Sequence, residues 1–198
     1  MPNFEPQRVE VEASERVFGG FFAIDRARVR YERFDGTMSE PVTRLVFERG
    51  DGVAVLPFDQ QTREVVLVRQ FRYPAYVRGG PGWLWEIIAG IREEGRTADD
   101  VACAEAMEEA GYRLGALQHI LTVYVSPGGS SERIYIFLAP IFDGDHVGKG
   151  GGLPADGEDI LVRRFALDEV LRMVDDGRIV DAKTILALQY LALHRLGA

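Results

Sequence analysis

The chain has 198 residues, of which 46% are hydrophobic and 27% charged, and its formal net charge is −8. This length and apolar content suffice for one domain, or one domain with a small appendage, and the ordinary charged fraction argues against global disorder. A pI near 5.0 argues against a broad nucleic-acid or anionic-membrane surface, so neither is expected as a partner.

Three features of the sequence favour a cytoplasmic location. The single cysteine, Cys103, has no partner for an intramolecular disulfide and sits among alanines, as a small core residue does. No long uncharged apolar run predicts a transmembrane helix, and the acidic N-terminus lacks the apolar segment of a signal peptide. We therefore expect a cytoplasmic protein.

The first quarter of the sequence predicts a small antiparallel sheet. Residues 1–15 are polar and expected to be loosely ordered, whereas β-like alternation runs from Phe18 to Glu48 with FDGTMS as a turn. Strands of this size are marginal alone, so they must pack on the rest of the chain or on a second copy of it. We predict an N-terminal β-subdomain over residues 1–50 and a second domain over residues 51–198.

The remaining sequence predicts strands that enclose one helix, followed by two helices. Predicted strands are GVAVLPFD, REVVLVRQFR, WLWEIIAG, LQHILTVYVSPGG, ERIYIFLAPIF and ILVRRFAL. The enclosed helix has Thr97 as a plausible N-cap and Gly111 as a suitable C′ residue. The closing segments DEVLRMVDDG and DAKTILALQYLALHRL are amphipathic. This order favours an α+β fold or α/β/α layering over a regular βαβ series.

The enclosed helix carries the most informative pattern, DDVACAEAMEEAG over residues 99–111. Glu105, Glu108 and Glu109 stand at positions i, i+3 and i+4, which share one face of a helix. Like charges at this spacing repel by roughly 0.2–0.5 kcal/mol per pair. A hard divalent cation would turn this repulsion into a binding site, whereas a solvated acidic face is the alternative interpretation.

The spacing resembles the Nudix box: a glycine, five residues, a glutamate, seven residues, and then Arg-Glu-apolar-x-Glu-Glu-x-Gly-apolar. The matching residues are Gly90, Glu105, Ala106, Glu108, Glu109, Gly111 and Tyr112. Two positions differ, because Arg96 replaces the first glutamate and Ala104 replaces the arginine. Outside the box, the chain is similar to the ADP-ribose and GDP-mannose pyrophosphatase branch in VTRLVFERG, VAVLPFD, VVLVRQFR, WLWEIIAG, SPGGSSE, EDI and GRIVDAKTILALQYL.

The resemblance implies a Nudix fold, which is a mixed β-sheet sandwiched between helices, with an N-terminal antiparallel β-subdomain that helps build a homodimer. It also implies hydrolysis of a pyrophosphate linkage with Mg²⁺ or Mn²⁺. The implied metal ligands are the carbonyl oxygen of Ala89 and the carboxylates of Glu105, Glu108 and Glu109. The implied substrate-binding residues are Phe21, Arg44, Arg72, Ser126 and Glu132.

A long loop, DGDHVGKGGGLPADGED, is expected to supply the residue that activates water. In relatives a carboxylate on the corresponding loop acts as the base or orients the water, and alignment of EDI makes Glu158 the first candidate and Asp156 the second. Asp159 is a third acid in the same loop. A loop of this length would also serve as a lid that excludes water.

Three functions remain open at this point. The first is ADP-ribose hydrolysis to AMP and ribose 5-phosphate, and the second is the same chemistry on GDP-mannose or another nucleotide sugar. The third is a catalytically weak nucleotide-sugar-binding sensor, which Arg96 and Ala104 favour and the intact helix carboxylates oppose.

Overall fold

The computed structural model describes residues 7–195, which divide into two compact units. The first unit takes the residues up to Gly50 together with Tyr124–Glu132, and the second takes Asp51–Val123 and the residues from Arg133 onward. The first unit therefore borrows a segment from the middle of the chain, which a division at residue 50 leaves out. Its role in dimerisation stays a prediction.

The first unit is a three-stranded antiparallel sheet in the order β1-β2-β3. The strands are β1 (Val9–Gly19), β2 (Ala23–Tyr31) and β3 (Val42–Glu48). Since β1 begins at Val9, the expectation of loose order up to residue 15 is wrong for residues 9–15. Cross-strand ion pairs explain the difference, because Arg16 lies 2.9 Å from Asp25 and Arg28 lies 2.7 Å from Glu12.

The second unit is built on a seven-stranded sheet with the path β10-β5-β4-β9-β8, in which β6 pairs with β5 and β7 pairs with β4. The strands are β4 (Gly52–Asp59), β5 (Glu64–Phe71), β6 (Trp83–Glu86), β7 (Ile88–Ile91), β8 (Gln118–Tyr124), β9 (Arg133–Pro140) and β10 (Leu161–Ala166). The β4–β9 pair is parallel and the β4–β7 pair antiparallel, so the sheet is mixed, as predicted. WLWEIIAG forms two strands rather than one, because the backbone N–H of Ile87 donates to Thr184 Oγ1 at 2.8 Å.

Helices cover both faces of this sheet. They are α2 (Ala98–Ala110) on one face and α3 (Leu167–Asp175) with α4 (Ala182–Arg195) on the other. The short helix α1 (Tyr73–Val77) has no buried residue. On β4, Val53 and Val55 belong to the core beneath α2, whereas Leu56 and Phe58 belong to the core beneath α3 and α4. The predicted sandwich is therefore confirmed, and α2 is held against the strand β7. Within residues 7–195, no helix has the length and apolar content needed to span a membrane.

Candidate active site

The helix that carries the carboxylates begins and ends as predicted. The Thr97 hydroxyl accepts the backbone N–H of Asp100 at 3.1 Å, and Gly111 closes the helix with a φ of 72°. The caps set the two ends of α2, and its buried residues Val101, Ala102, Ala106 and Ala110 orient it against the sheet. Glu109 is buried, with 3% of its surface exposed, Glu105 is half-buried and Glu108 is exposed.

Strand β7 approaches this helix face closely. A Cβ atom built on Gly90 would stand 1.8 Å from Oε1 of Glu105, so only a glycine leaves room for that carboxylate. The requirement is one of space, because Gly90 lacks the positive φ that favours glycine. Next to it, the backbone N–H of Ala89 donates to Oε2 of Glu109 at 3.3 Å. Two of the helix carboxylates therefore lie directly against the Ala89–Gly90 backbone.

Burial and the negative charges of neighbouring carboxylates raise the pKa values of Glu105 and Glu109. Burial, followed by the charge of Glu105, raises the pKa of Glu109 to about 8. Burial, followed by the charge of Glu108, raises the pKa of Glu105 to about 7. The negative charge of Glu158 acts in the same direction on both groups. The structure thus brings the loop residue Glu158 within electrostatic range of the helix face.

The long loop is fastened to the C-terminal end of α2. Backbone N–H groups of Gly151 and Gly152 donate to the carbonyl oxygens of Glu109 and Glu108 at 2.8 and 3.1 Å. Glycine is required at position 150, because a Cβ atom there would stand 2.7 Å from the carbonyl oxygen of Glu109. Residues 150–152, which lead to Asp156 and Glu158, are therefore held in place against the C-terminal end of α2.

The two candidate bases lie just beyond residues 150–152. The carboxylate of Glu158 accepts the backbone N–H of Leu153 at 2.9 Å, which turns the loop back on itself. Asp156 closes a single 3₁₀ turn, Pro154–Asp156, and its side chain lies outside the described part of the structure. Glu158 is thus the loop acid whose charge acts on both Glu105 and Glu109.

The donor set fits a hard divalent cation. Carboxylate and carbonyl oxygens are the ligands that Mg²⁺ takes. Within residues 7–195, Glu105 accepts no hydrogen bond and Glu109 accepts only that of Ala89, so most of their oxygen lone pairs are available. The described side chains contain no group of three or more His, Cys, Asp or Glu residues already gathered to hold a metal ion.

Arg96 supplies a positive charge to the helix face. Its guanidinium lies 3.3 Å from a carboxylate oxygen of Glu93 and 3.3 Å from the carbonyl oxygen of Asp100. From there its charge opposes the rise in the pKa of Glu105. Ala104 removes the arginine of the box pattern, and the positive charge that acts on Glu105 comes instead from position 96.

A second group of cationic side chains surrounds Glu86. Arg72 donates from Nε and Nη2 to the two oxygens of Glu86 at 2.8 and 3.0 Å, and the Lys183 ammonium also contacts Glu86. The charge of Arg72 acts to lower the pKa of Glu109. Arg72 was predicted, whereas Glu86 and Lys183 were not. A usable signal was that Glu86 is the one charged residue in the apolar run WLWEIIAG.

The other four predicted residues belong to the first unit. Phe21 is 84% exposed and is therefore not a core residue of this unit. Arg44 lines a cavity of about 320 Å³ together with Tyr124 and the loop Pro127–Ser131. Ser126 is exposed and stands just before that loop. Glu132 follows the loop, and its Oε1 lies 3.4 Å from Nε of Arg49. Phe21 and Arg44 thus present surface for a ligand, while Glu132 is engaged in an ion pair.

Comparison with known proteins decides the family. A model of the NUDIX domain matches residues 48–188. The chain belongs to the NUDIX domain family. This Nudix chain is 40% identical over 191 residues to the ADP-ribose pyrophosphatase of Escherichia coli K12, covering 96% of the chain and 91% of that protein. The matched residues 48–188 include both α2 and β7, so the carboxylates and Gly90 lie within the NUDIX domain.

Two further comparisons extend this result. The Nudix chain is 40% identical over 152 residues to the GDP-mannose pyrophosphatase of Cronobacter sakazakii, covering 76% of the chain and 78% of that protein. A crystal structure of an ADP compounds hydrolase superposes with a TM-score of 0.73 at 18% identity, covering 98% of both chains. The structural match establishes the fold, and the sequence matches place the chain in this branch of the family.

Proposed function

We propose that this Nudix chain is a divalent-metal-dependent pyrophosphatase that cleaves the pyrophosphate bond of a nucleoside diphosphate sugar. ADP-ribose, converted to AMP and ribose 5-phosphate, is the first candidate substrate. The proposal is carried by the α2 carboxylates that lie against Gly90 with Glu158 beside them. ADP-ribose is favoured because the relative of that name matches 96% of the chain, whereas the relative named for GDP-mannose matches 76%.

The second unit supplies the groups for this chemistry. Glu105, Glu108, Glu109 and the carbonyl oxygen of Ala89 would hold Mg²⁺ or Mn²⁺, which neutralises phosphate charge and acidifies bound water. Glu158 takes the proton of the attacking water, with Asp156 as the second candidate for that role. The water oxygen forms a bond to phosphorus, the P–O bond of the bridge breaks, and the displaced phosphate leaves with its electron pair.

The remaining predicted residues bind the substrate. Arg72 binds a phosphate, since a guanidinium suits phosphate oxygens. In the first unit, Phe21 offers a ring for the nucleobase, and Arg44, Ser126 and Glu132 contact the rest of the ligand, with Arg44 acting across a homodimer. The cytoplasmic location expected from the sequence stays a prediction.

An assay of released nucleoside monophosphate tests the proposal. The protein is incubated with Mg²⁺ and a panel of ADP-ribose, GDP-mannose and other nucleotide sugars, with EDTA as the metal-free control. We expect AMP from ADP-ribose at the highest kcat/KM and no product with EDTA. A preference for GDP-mannose selects the second substrate. Binding without any release would support the sensor, which the intact carboxylates and the names of the relatives do not favour.

The first unit leads to a prediction on assembly. Several of its apolar side chains are exposed, including Val9, Val11, Phe18 and Leu45, and a second copy of the chain would cover them. We expect a dimer by sedimentation, and we expect the chain that lacks residues 1–50 to aggregate or remain unfolded. Loss of β3 would also free the segment Tyr124–Glu132, since Phe47 exchanges backbone hydrogen bonds with Gly129 and Ser131. A monodisperse, active monomer would contradict this prediction.

A glycine substitution tests the close approach of β7 to α2. In Gly90→Ala the new methyl group would occupy the position of the Glu105 carboxylate, which must move away. Misplacement of a catalytic group by about 1 Å can cost roughly 10²-fold in rate, and we expect a loss of that order in Mg²⁺-dependent kcat. Gly115→Ala is the matched control, because a Cβ atom there meets nothing within 4 Å. Equal activity of the two variants would show that catalysis does not depend on the close approach of Gly90 to Glu105.

A further inference from the structure

We propose that Glu86 is a positioning residue that holds the guanidinium of Arg72 beside the α2 carboxylates, so that its remaining edge binds a phosphate of the substrate. The phosphate in this statement rests on the proposed function. The hold of Glu86 on Arg72 rests on the geometry of the second unit alone, and the two parts are tested separately below.

The contact between the two residues is rigid. Arg72 donates from Nε and Nη2 to separate oxygens of Glu86 at 2.8 and 3.0 Å, which is the parallel two-bond geometry that fixes a guanidinium plane. The Glu86 side chain is only 2% exposed, so water does not compete for it. Burial acts to raise the pKa of Glu86, but the hydrogen bond from Arg72 and the charges of Lys183 and Arg72 lower it overall.

Glu86 is itself anchored from the start of α4. Lys183 contacts Glu86 and donates to Asp181 at 2.9 Å, and the Asp181 carboxylate accepts the backbone N–H of Thr184 at 3.0 Å. The Thr184 hydroxyl in turn accepts the backbone N–H of Ile87, next to Glu86 in the chain. The position of Glu86 is therefore fixed in two ways, through the backbone of the next residue, Ile87, and through the ammonium of Lys183.

This anchoring leaves one edge of Arg72 for a ligand. Among the described residues, no hydrogen bond uses Nη1 of Arg72. Glu86, which binds Arg72, stands three residues before Ala89, whose backbone N–H donates to Oε2 of Glu109 at 3.3 Å. In agreement with this placement, the charge of Arg72 acts to lower the pKa of Glu109. The free edge of a guanidinium held in a fixed orientation is suited to bind a phosphate oxygen.

A purely stabilising role explains these contacts less well. Removing two charges from water carries a desolvation penalty, and well-packed apolar residues often stabilise a buried site as well as an ion pair does. Orientation of Arg72 is a property that apolar residues would not supply. A test must therefore separate orientation from stability.

The first measurement follows Arg72 directly. In a ¹⁵N–¹H spectrum of the full chain, the Nε–H resonance of Arg72 is assigned by its loss in Arg72→Lys. We expect Glu86→Gln to move this resonance toward the position of a free arginine, since the amide offers one uncharged acceptor oxygen where the carboxylate offers two charged ones. An unmoved resonance overturns the proposal. If Glu86→Gln does not fold, Glu86→Asp is used, for which we expect a smaller shift in the same direction.

The second measurement is a double-mutant cycle on KM for the nucleotide sugar. We expect Glu86→Gln to raise KM by roughly 10–100-fold, the usual cost of removing an outer partner of a ligand group, with a smaller change in kcat. In the Arg72→Lys background the same change should add little, because Glu86 acts through Arg72. An undiminished KM effect in that background overturns the proposal.

A matched control removes stability as an explanation. Asp59 forms a similarly buried pair with Arg164 at 2.6 Å, and its side chain is 4% exposed. Asp59→Asn should lower the thermal midpoint as Glu86→Gln does, yet leave KM and the Arg72 resonance unchanged. A wild type that hydrolyses no nucleotide sugar would overturn the proposed function, and the Arg72 resonance would still support or overturn the hold of Glu86.

Discussion

Glu109→Gln is expected to abolish turnover while the fold survives. The substitution keeps the shape of a buried side chain but removes one hard anionic ligand from the carboxylate face. It also removes the repulsion between positions 105 and 109, so the free energy of unfolding should hold or rise slightly. The measurements are kcat with saturating Mg²⁺ and the thermal midpoint of each protein.

Added Mg²⁺ provides a second readout for this variant. A ligand that binds only the native state raises the thermal midpoint. We expect Mg²⁺ to raise the midpoint of the wild type and to have a much smaller effect on Glu109→Gln. Asp99→Asn is the matched control, because it removes an exposed charge from the first turn of the same helix. Near-normal turnover of Glu109→Gln would show that Glu109 is not a ligand of a catalytic metal ion.

Glu158→Gln has the second largest expected effect, a fall in kcat on the order of 10²–10⁴, which is the usual contribution of a positioned general base. Substrate binding should change little, because the loop backbone stays hydrogen-bonded to α2. We expect Glu158 to act as the base because its charge acts on both Glu105 and Glu109. Single-turnover rates and KM, measured separately, separate chemistry from binding.

Asp156→Asn is the partner variant in this experiment, because Asp156 lies two residues away on the same loop. If Asp156→Asn is impaired and Glu158→Gln is not, the base is Asp156 and the mechanism otherwise stands. If both variants turn over normally, the metal ions and helix carboxylates are sufficient to activate the water. The loop carboxylates then take no part in removing its proton.

The sequence predicted those features of the fold that depend on local interactions. The limits of α2 follow from Thr97 and Gly111, whose capping hydrogen bonds involve neighbours in the chain. The strand β1 was missed over residues 9–15 because its pairing partners lie in β2, and exposed side chains such as Val9 leave no buried face to detect. The split of WLWEIIAG depends on Thr184, which is 97 residues distant from Ile87.

The same distinction holds for the candidate site. The three carboxylates of α2 were predictable because their spacing is set within one helix. The contact of Glu105 with Gly90, the proximity of Glu158 and the charge supplied by Arg96 all depend on how separate segments meet. Glu86 was missed because a single charge in an apolar run does not reveal its partners, which come from β5 and α4.

The segment borrowed by the first unit has a consequence for biosynthesis. Phe47 on the outer strand β3 exchanges backbone hydrogen bonds with Gly129 and Ser131, so this edge is covered only after residue 131 has been made. At about 5–20 residues per second, the ribosome needs roughly 4–16 seconds to add the 80 or so residues in between. Nascent chains that stall in this interval display an open strand edge, which is a template for pairing with another chain.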